Sequence, residues 1–203
     1  MKKIMFNDRC GLTNSVVLGQ KTMTRRMLPK QVRKDSERCD KIFIRNNEIV
    51  LDFGVHGCER VCSLPYKVGE EVAIAQKYKD LPFNPFMGRG TTYTDAAGWE
   101  NKMFVKAELM PNRLRMTAVK VERLLAISNE DCEKEGIWLD NSVTIDFPQA
   151  EDIHPYVFKV QGHKWFQPTP QIAYENLVRL TMGKKVLDAN PWVLAYTFEY
   201  LED

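Results

Sequence analysis

The segment 115–125 alternates apolar and polar side chains, and this pattern limits the fold more than any other feature of the chain. Its apolar members are Met116, Ala118, Val119, Val121 and Leu124. A period of two residues predicts a β-strand that buries one face against a core. A single strand cannot satisfy its own backbone, so we expect the protein to be built around a β-sheet.

Shorter apolar runs separated by turn residues predict further strands. They cover 41–45, 48–53, 71–75 and 193–200. The first two flank Asn46 and Asn47, a pair that favours the positive φ angles of a tight hairpin turn. Residues 80–100 are rich in Gly, Pro, Thr and Asp, which is typical of a long surface loop. The segment 137–170 contains four prolines and is predicted to be irregular.

Three segments have helical spacing. The apolar residues predict helices over 7–18 and 171–182. A third helix begins at Ser128 and ends at Gly136, because Ser128 and Asp131 have the spacing of a capping box, in which each side chain accepts the other residue's amide proton. Since short strands outnumber helices, we predict an α+β fold, a small β-barrel with a few flanking helices.

The length of 203 residues suits one domain, and a hydrophobic content of 44% excludes a disordered chain. The formal net charge is only +2, but the charges are unevenly placed. Residues 1–45 hold 12 Lys/Arg against 4 Asp/Glu, and the other residues hold 17 against 23. This asymmetry indicates an anionic partner that meets the N-terminal part of the chain.

The sequence shows neither a signal peptide nor a long apolar segment, so we expect a cytoplasmic protein without a membrane partner. Its five cysteines are irregularly spaced, which favours reduced thiols over disulfides. Cys39, His56, Cys58 and Cys62 offer donor atoms that zinc accepts, but their spacing matches no usual zinc site. Cysteines that fill small apolar gaps are the simpler interpretation, and we predict no metal and no cofactor.

The densest group of reactive side chains is the string GQKTMTRR at 19–26. A lysine removed from water loses its proton more readily, and the neutral amine can take the proton of a threonine hydroxyl, which then becomes a nucleophile. On a helical turn or a tight bend, Lys21 and Thr24 face the same side. Arg25 and Arg26 offer donors to a carbonyl oxygen or a phosphate. A solvated basic loop is the alternative, with Thr24 bonded to its own backbone.

The string at 19–26, followed by PYKVGE at 65–70, resembles the signature of the ASCH domain, a PUA-like β-barrel family of bacteria and phages. Further stretches agree with the larger, phage-type members, and they lie at 110–113, 119–124, 127–137 and 190–193. The resemblance implies one ASCH domain over 1–203. Relative to the short members, it carries insertions at about 30–64, 80–103 and 137–170. A phage origin would place the protein in the host cytoplasm.

PUA-like barrels are mainly associated with RNA, and a small bacterial ASCH enzyme hydrolyses the amide of N4-acetylcytidine with a lysine, a threonine and a glutamate. Matched through the motifs, these residues fall on Lys21, Thr24 and Glu135. The resemblance implies an amidohydrolase that acts on an N4-acylated cytidine nucleoside or a related modified base. Lys21 would activate Thr24, Glu135 would orient Lys21 or balance its charge, and Arg26 would hold the substrate or the oxyanion.

One departure from the larger relatives concerns the strand after the turn at Gly69. Many relatives carry a Trp and an Arg-Glu pair there, and this chain has Gln76 and Lys77 in place of the charged pair. Gln76 and Lys77 therefore join Arg25 and Arg26 as candidate substrate-binding residues. Two alternatives remain open, a module that binds RNA or a nucleotide-like ligand without turnover, and a ribonuclease. For Glu135 the alternative is an exposed residue at a helix end.

Overall fold

The fold is described from a computed structural model, which covers residues 1–54, 57–87, 93–147 and 150–201. Within these ranges the chain forms a mixed α+β fold. The strands are β1 (Lys2–Ile4), β2 (Met23–Met27), β3 (Lys41–Arg45), β4 (Glu48–Asp52), β5 (Glu59–Ser63), β6 (Glu71–Ile74), β7 (Arg113–Arg123), β8 (Trp138–Leu139), β9 (Ile145–Phe147), β10 (Ala150–Ile153), β11 (Tyr156–Val160), β12 (His163–Gln167) and β13 (Trp192–Leu201). The helices are α1 (Leu12–Val17), α2 (Lys30–Asp35), α3 (Asn129–Lys134), α4 (Pro170–Thr181) and α5 (Lys184–Ala189).

The central sheet has five strands in the order β1-β6-β7-β13-β2. β1 runs parallel to β6, and the other neighbours are antiparallel. The predicted strands at 115–125 and 193–200 are confirmed as β7 and β13, which pair with each other at the centre of the sheet. Within the described ranges the sheet ends at β1 and β2, and no set of strands closes into a barrel.

A β-bulge explains why the alternation in β7 is irregular. The pairing between β7 and β13 shifts by one residue and skips Thr117. One extra residue sends the following side chains to the opposite face of the sheet. The apolar positions of β7 accordingly change from the even-numbered Leu114 and Met116 to the odd-numbered Val119 and Val121.

β6 is buried on both of its faces and joins two apolar clusters. Val72 and Ile74 pack into the main core, and Ala73 and Ala75 pack with Tyr78 in a second cluster. A large apolar side chain stabilises the fold by about 1.5–3 kcal/mol when it is fully buried. The short apolar run at 71–75 predicts a buried strand, and β6 confirms it.

The predicted hairpin at 41–53 is confirmed. Asn46 and Asn47 have φ angles of 52° and 61° and connect β3 to β4. β5 adds a third strand beyond β4, and α2 precedes the sheet. The sequence pattern predicts neither element, because only Val32 of α2 is buried and β5 is mostly exposed.

The expectation of an irregular segment at 137–170 is wrong. β11 pairs with both β12 and β8, and β9 pairs with β10. The prolines that suggest irregularity lie between these strands or after them, Pro155 before β11 and Pro168 after β12, while Pro170 begins α4. Pro148 lies outside the described residues.

Helix α1 begins at Leu12 rather than at residue 7. The preceding residues form a turn in which Asn7 Oδ1 accepts the amide proton of Cys10 at 3.1 Å, and Gly11 has a φ of 65°. A left-handed residue cannot continue a helix, so the helix starts after it. The consequence is that the stretch before α1 is free to line a pocket, as described below.

The Asp140 carboxylate holds the chain after β8 against β12. It accepts hydrogen bonds from Ser142 Oγ and from Lys164 Nζ, each at 2.5 Å. The bonds from Lys164 and Ser142 lower the pKa of Asp140 to about 2. A carboxylate with a lowered pKa stabilises the folded state above its unfolded pKa, and this contribution is lost as the pH falls through the folded value.

We expect Asp140→Asn to lower the Tm at about pH 7, with a difference from the wild type that shrinks between about pH 4 and pH 2. Thermal unfolding followed by circular dichroism over this pH range is the measurement. Asp146→Asn, at an exposed position of β9, is the matched control and should leave the Tm unchanged. A difference that stays constant down to about pH 2 would show that the charge of Asp140 is not responsible.

Candidate active site

A pocket of about 450 Å³ lies between β2, the end of α3 and α4, and the segment before α1 closes one side. Its charged and hydroxyl-bearing members include Lys21, Thr24, Arg25, Arg26 and Glu135. Its apolar members include Phe6, Leu12, Leu177, Val178 and Met182. A volume of this size, with a few polar groups on an otherwise apolar wall, suits a small organic ligand.

Lys21 enters the pocket because the chain leaves α1 through a tight turn. Gly19 has a φ of 69°, and the amides of Gln20 and Lys21 both donate to the Ser15 carbonyl, at 2.8 and 3.0 Å. The spacing of Lys21 and Thr24 suggests that they share a helical turn or a tight bend. The chain instead extends into β2 after Lys21, so they do not share a helical turn. Lys21 precedes the strand, Thr24 lies within it, and both still line the same pocket.

Lys21 and Glu135 form an ion pair that is almost completely removed from water, with exposed fractions of 1% and 5%. The ammonium of Lys21 donates to the Glu135 carboxylate and, at 2.8 Å, to the Glu135 main-chain carbonyl. Burial disfavours the charged amine and lowers the pKa of Lys21, and the nearby Glu135 opposes this shift. The alternative of an exposed Glu135 at a helix end is therefore wrong.

Gly136 packs against Lys21 at the end of α3, and its positive φ favours glycine there. Its φ is 92°, and a Cβ placed on it would lie 3.4 Å from Lys21 Cβ and 3.8 Å from a methyl carbon of Leu12. The glycine ends the helix, as its sequence position predicts, and leaves room for the aliphatic part of the lysine. The amide of Thr22 then donates to the Lys134 carbonyl at 2.9 Å, so that α3 and the start of β2 are joined directly.

Thr24 lies opposite Tyr196 of β13 and is 5% exposed. Within the described ranges its hydroxyl has no hydrogen-bond partner, neither Lys21 nor its own backbone. In enzymes, hydrogen bonds between catalytic groups are often long or poorly aligned before a substrate binds. The hydroxyl is thus available to a ligand in the pocket.

Arg25 also lines the pocket, and three carboxylates surround its guanidinium. Glu122 comes from β7, while Asp131 and Glu135 come from α3 and its end. Tyr174 of α4 also contacts the group, with the guanidinium carbon 5.7 Å from the ring centroid. Burial opposes the charge of Arg25, but Glu135 and the other carboxylates outweigh it and raise its pKa. The donors of Arg25 are thus engaged by the protein itself.

Arg26 lines the pocket and carries a buried donor that has no partner in the described ranges. Its Nη2 donates to the Met5 carbonyl at 2.6 Å, and its guanidinium carbon lies 5.3 Å from the centroid of the Phe6 ring. Its Nε is buried and has no partner among the described residues. A buried donor without an acceptor is costly, so this atom is suited to a carbonyl or oxyanion of a ligand.

The structure does not bring Gln76 and Lys77 to this pocket. They line a separate, smaller one of about 260 Å³ that also includes Asn14 of α1. Gln76 Oε1 accepts a hydrogen bond from Asn112 Nδ2 at 2.5 Å. Of the candidate site residues from the sequence, Lys21, Thr24, Arg25, Arg26 and Glu135 therefore meet, and Gln76 and Lys77 stand apart.

Sequence reasoning misses the contribution of α4 to the pocket. Tyr174, Leu177, Val178 and Met182 all line it, and Tyr174 is 3% exposed. The apolar spacing of this segment correctly predicts a helix, but spacing does not say which partner the apolar face meets. The stretch before α1, with Met5 and its neighbours, is missed for the same reason.

The possible zinc donors and the helices can be compared with the expectations about metals and membranes. Cys58 is exposed, Cys39 and Cys62 pack beside the core, and His56 lies outside the described residues. In the described ranges, no group of three or more His, Cys, Asp or Glu side chains is arranged to hold a metal ion. None of the helices in these ranges is both long and apolar enough to span a bilayer.

Comparison with known proteins adds little to this geometry. The chain matches no family model and no curated protein. Among solved structures, it is similar to the protein EF3133 from Enterococcus faecalis V583, described under the family DUF984, with 13% sequence identity and a TM-score of 0.39. The match covers 94% of this chain, which spans 66% of the length of that protein. At this level of similarity neither a family nor an activity follows.

Proposed function

We propose that the protein is an amidohydrolase that acts on an N4-acylated cytidine nucleoside or a related modified base. The observation that carries this proposal is the buried Lys21–Glu135 pair in the same pocket as Thr24. A buried lysine with a lowered pKa in the same pocket as an unbonded hydroxyl is a pair of groups from which a threonine nucleophile can be activated. The resemblance of the string at 19–26 to the ASCH signature supports the same assignment of residues.

In the proposed reaction, neutral Lys21 takes the proton of the Thr24 hydroxyl, and Thr24 Oγ1 attacks the acyl carbonyl carbon. The C–N bond breaks, the proton passes from Lys21 to the departing N4 amine, and the acyl group remains on Thr24 as an ester. A water molecule then hydrolyses the ester and releases the carboxylic acid. Arg26 Nε donates to the oxyanion that forms in both steps.

The proposal includes the family and the fold that the resemblance implies. We assign the chain to the ASCH domains, with the central sheet as part of a PUA-like barrel. We also propose a cytoplasmic location, because the irregular spacing of the five cysteines in the sequence favours reduced thiols.

The test is incubation of the purified protein with N4-acetylcytidine and, separately, with short RNAs, with the products identified by mass spectrometry. We expect cytidine and acetate from the nucleoside and intact RNA. N4-acetylcytidine that remains intact at high protein concentration would overturn the hydrolase proposal. Cleaved RNA would instead identify a ribonuclease.

A second candidate function is a binding module that holds a nucleoside or nucleotide without turnover. The observation in its favour is that the Lys21 ammonium is already occupied by the Glu135 carboxylate and carbonyl, with no hydrogen bond to Thr24 among the described residues. Calorimetric titration with nucleosides distinguishes the two functions, because a binding module retains affinity for N4-acetylcytidine but returns it unchanged.

A further inference from the structure

Arg25 is held by carboxylates from two directions, and only 1% of its side chain is exposed. Its Nε donates to Glu122 Oε1 at 2.8 Å, and its Nη2 donates to Asp131 Oδ2 at 3.1 Å. Its Nη1 donates to Glu135 Oε1 at 3.1 Å. One guanidinium thus joins β2, β7 and the end of α3, and its planar shape suits contact with several carboxylates at once.

Glu135 divides its two carboxylate oxygens between two cations. Oε1 accepts from Arg25, and Oε2 accepts from Lys21. Because a carboxylate is planar, a bond that fixes one oxygen also fixes the direction of the other. Arg25 therefore determines, through Glu135, where the amine of Lys21 finds its acceptor.

The charges around Lys21 come from the end of α3 and from β2, and α4 adds a neutral group. Glu135 at the end of α3 is negative, while Arg25 and Arg26 on β2 are positive. Tyr174 on α4 faces the same cluster, and burial raises its pKa so far that the hydroxyl stays neutral. Because the positive charge of Arg25 lies next to Glu135, it partly offsets the negative charge that favours a proton on Lys21. The charge of Arg25 also directly disfavours a positive charge on Lys21.

We propose that Arg25 is a positioning residue, which holds Glu135 and offsets its charge so that Lys21 can stand as the neutral amine that takes the Thr24 proton. This inference rests on the proposed function. It assigns Arg25 to the positioning of Glu135 and Lys21 instead of to substrate binding. The proton passes from Thr24 Oγ1 to Lys21 and then to the departing amine, so the charge of Arg25 stays constant throughout.

The test compares the variants Arg25→Met and Arg25→Lys with the wild type across a range of pH. Methionine removes the charge, while lysine keeps the charge and loses the planar donors. For Arg25→Met we expect the rising limb of kcat against pH to move up by about one pH unit. At any pH on the rising limb this shift lowers kcat about tenfold, and it leaves KM unchanged. Arg25→Lys should keep the rising limb near its wild-type position.

Arg45→Met is the matched control, because Arg45 pairs with Glu59 at the surface, and it should leave the profile unchanged. A raised KM with an unchanged pH profile would overturn the inference and return Arg25 to substrate binding. A kcat that falls equally at every pH would also overturn it, since a merely structural role has this effect. If Arg25→Met does not fold, the double variant Arg25→Met with Glu122→Gln is measured instead. Its second substitution removes the charge of Glu122, which Arg25→Met leaves without its arginine partner.

A second readout does not depend on turnover. The lysine side chains are labelled with ¹³C, and the Cε resonance of Lys21 is followed by NMR as the pH is raised. We expect Lys21 to titrate at a higher pH in Arg25→Met than in the wild type. Failure of the wild type to hydrolyse N4-acetylcytidine overturns the proposed function, whereas an unshifted titration of Lys21 overturns the role of Arg25.

Discussion

Replacement of Thr24 by alanine is expected to abolish the hydrolysis of N4-acetylcytidine, with kcat lowered at least about a thousandfold. The reason is that the Thr24 hydroxyl is the proposed nucleophile, and alanine offers nothing to acylate. Alanine is smaller than threonine and fits the same place in β2, so the affinity for the nucleoside should stay within about threefold. Steady-state kinetics and calorimetric titration measure the two quantities separately.

Thr117→Ala is the matched control, since Thr117 is an exposed threonine on the same sheet, in β7. It should keep wild-type kcat and KM. Turnover that survives in Thr24→Ala but is lost in Lys21→Met would contradict the ester intermediate, because Lys21 would then activate a water molecule directly. Detection of an acyl group on Thr24 by mass spectrometry after rapid quenching would exclude that outcome.

Replacement of Glu135 by alanine is expected to cost about 3–5 kcal/mol of folding free energy. The variant leaves Lys21 without its carboxylate partner and removes one acceptor from Arg25, both in a region with little water. For a chain of this length we expect the Tm to fall by about 10 °C. The loss should shrink as the pH rises, because an unpaired Lys21 destabilises the fold only while it carries its proton.

Glu133→Ala is the matched control, because Glu133 lies on the same helix and is exposed. Its effect should stay within about 0.5 kcal/mol. The double variant Lys21→Met with Glu135→Leu should recover most of the lost stability, since an apolar pair of similar volume can replace a buried ion pair. A Tm of Glu135→Ala equal to that of the wild type would contradict the buried pair.

The elements predicted correctly from the sequence have local causes. Asn46 and Asn47 favour a hairpin by their own conformational preferences, and the hydroxyl of Ser128 accepts the Asp131 amide proton at the start of α3. The second half of the capping box is not formed, because the Asp131 carboxylate binds Arg25 and Lys120 instead. Arg25 lies 106 positions and Lys120 11 positions from Asp131, so neither is on the same helix and no local pattern indicates them.

In the candidate site, too, the features with local causes are predicted and those that depend on distant contacts are not. The string at 19–26 identifies Lys21, Thr24 and Arg26 in advance, and all of them line the pocket. Its extended conformation could not be predicted, because β2 owes its form to pairing with β13 rather than to an alternating pattern of its own. The wall from α4 and the separation of Gln76 and Lys77 likewise depend on packing between distant segments.

The structure also changes the meaning of the charge asymmetry. The basic N-terminal part suggests an anionic partner, but several of its cations bind acidic groups later in this same chain. Lys2 pairs with Glu70 and Lys21 pairs with Glu135, while Arg25 is surrounded by carboxylates. Much of the local excess is thus neutralised within the fold, and Arg26 keeps a buried donor that has no partner among the described residues.

The bond between Lys21 and Glu135 joins residues 114 positions apart. Contacts of such long range close a large loop and form late when a chain folds. A partly folded or incompletely synthesised chain therefore holds the reactive string at 19–26 in water, where its lysine is an ordinary protonated amine and its threonine is inert. The proposed chemistry requires the end of α3 to be docked against β2, so recovery of the proposed activity after denaturation would report that this contact has formed.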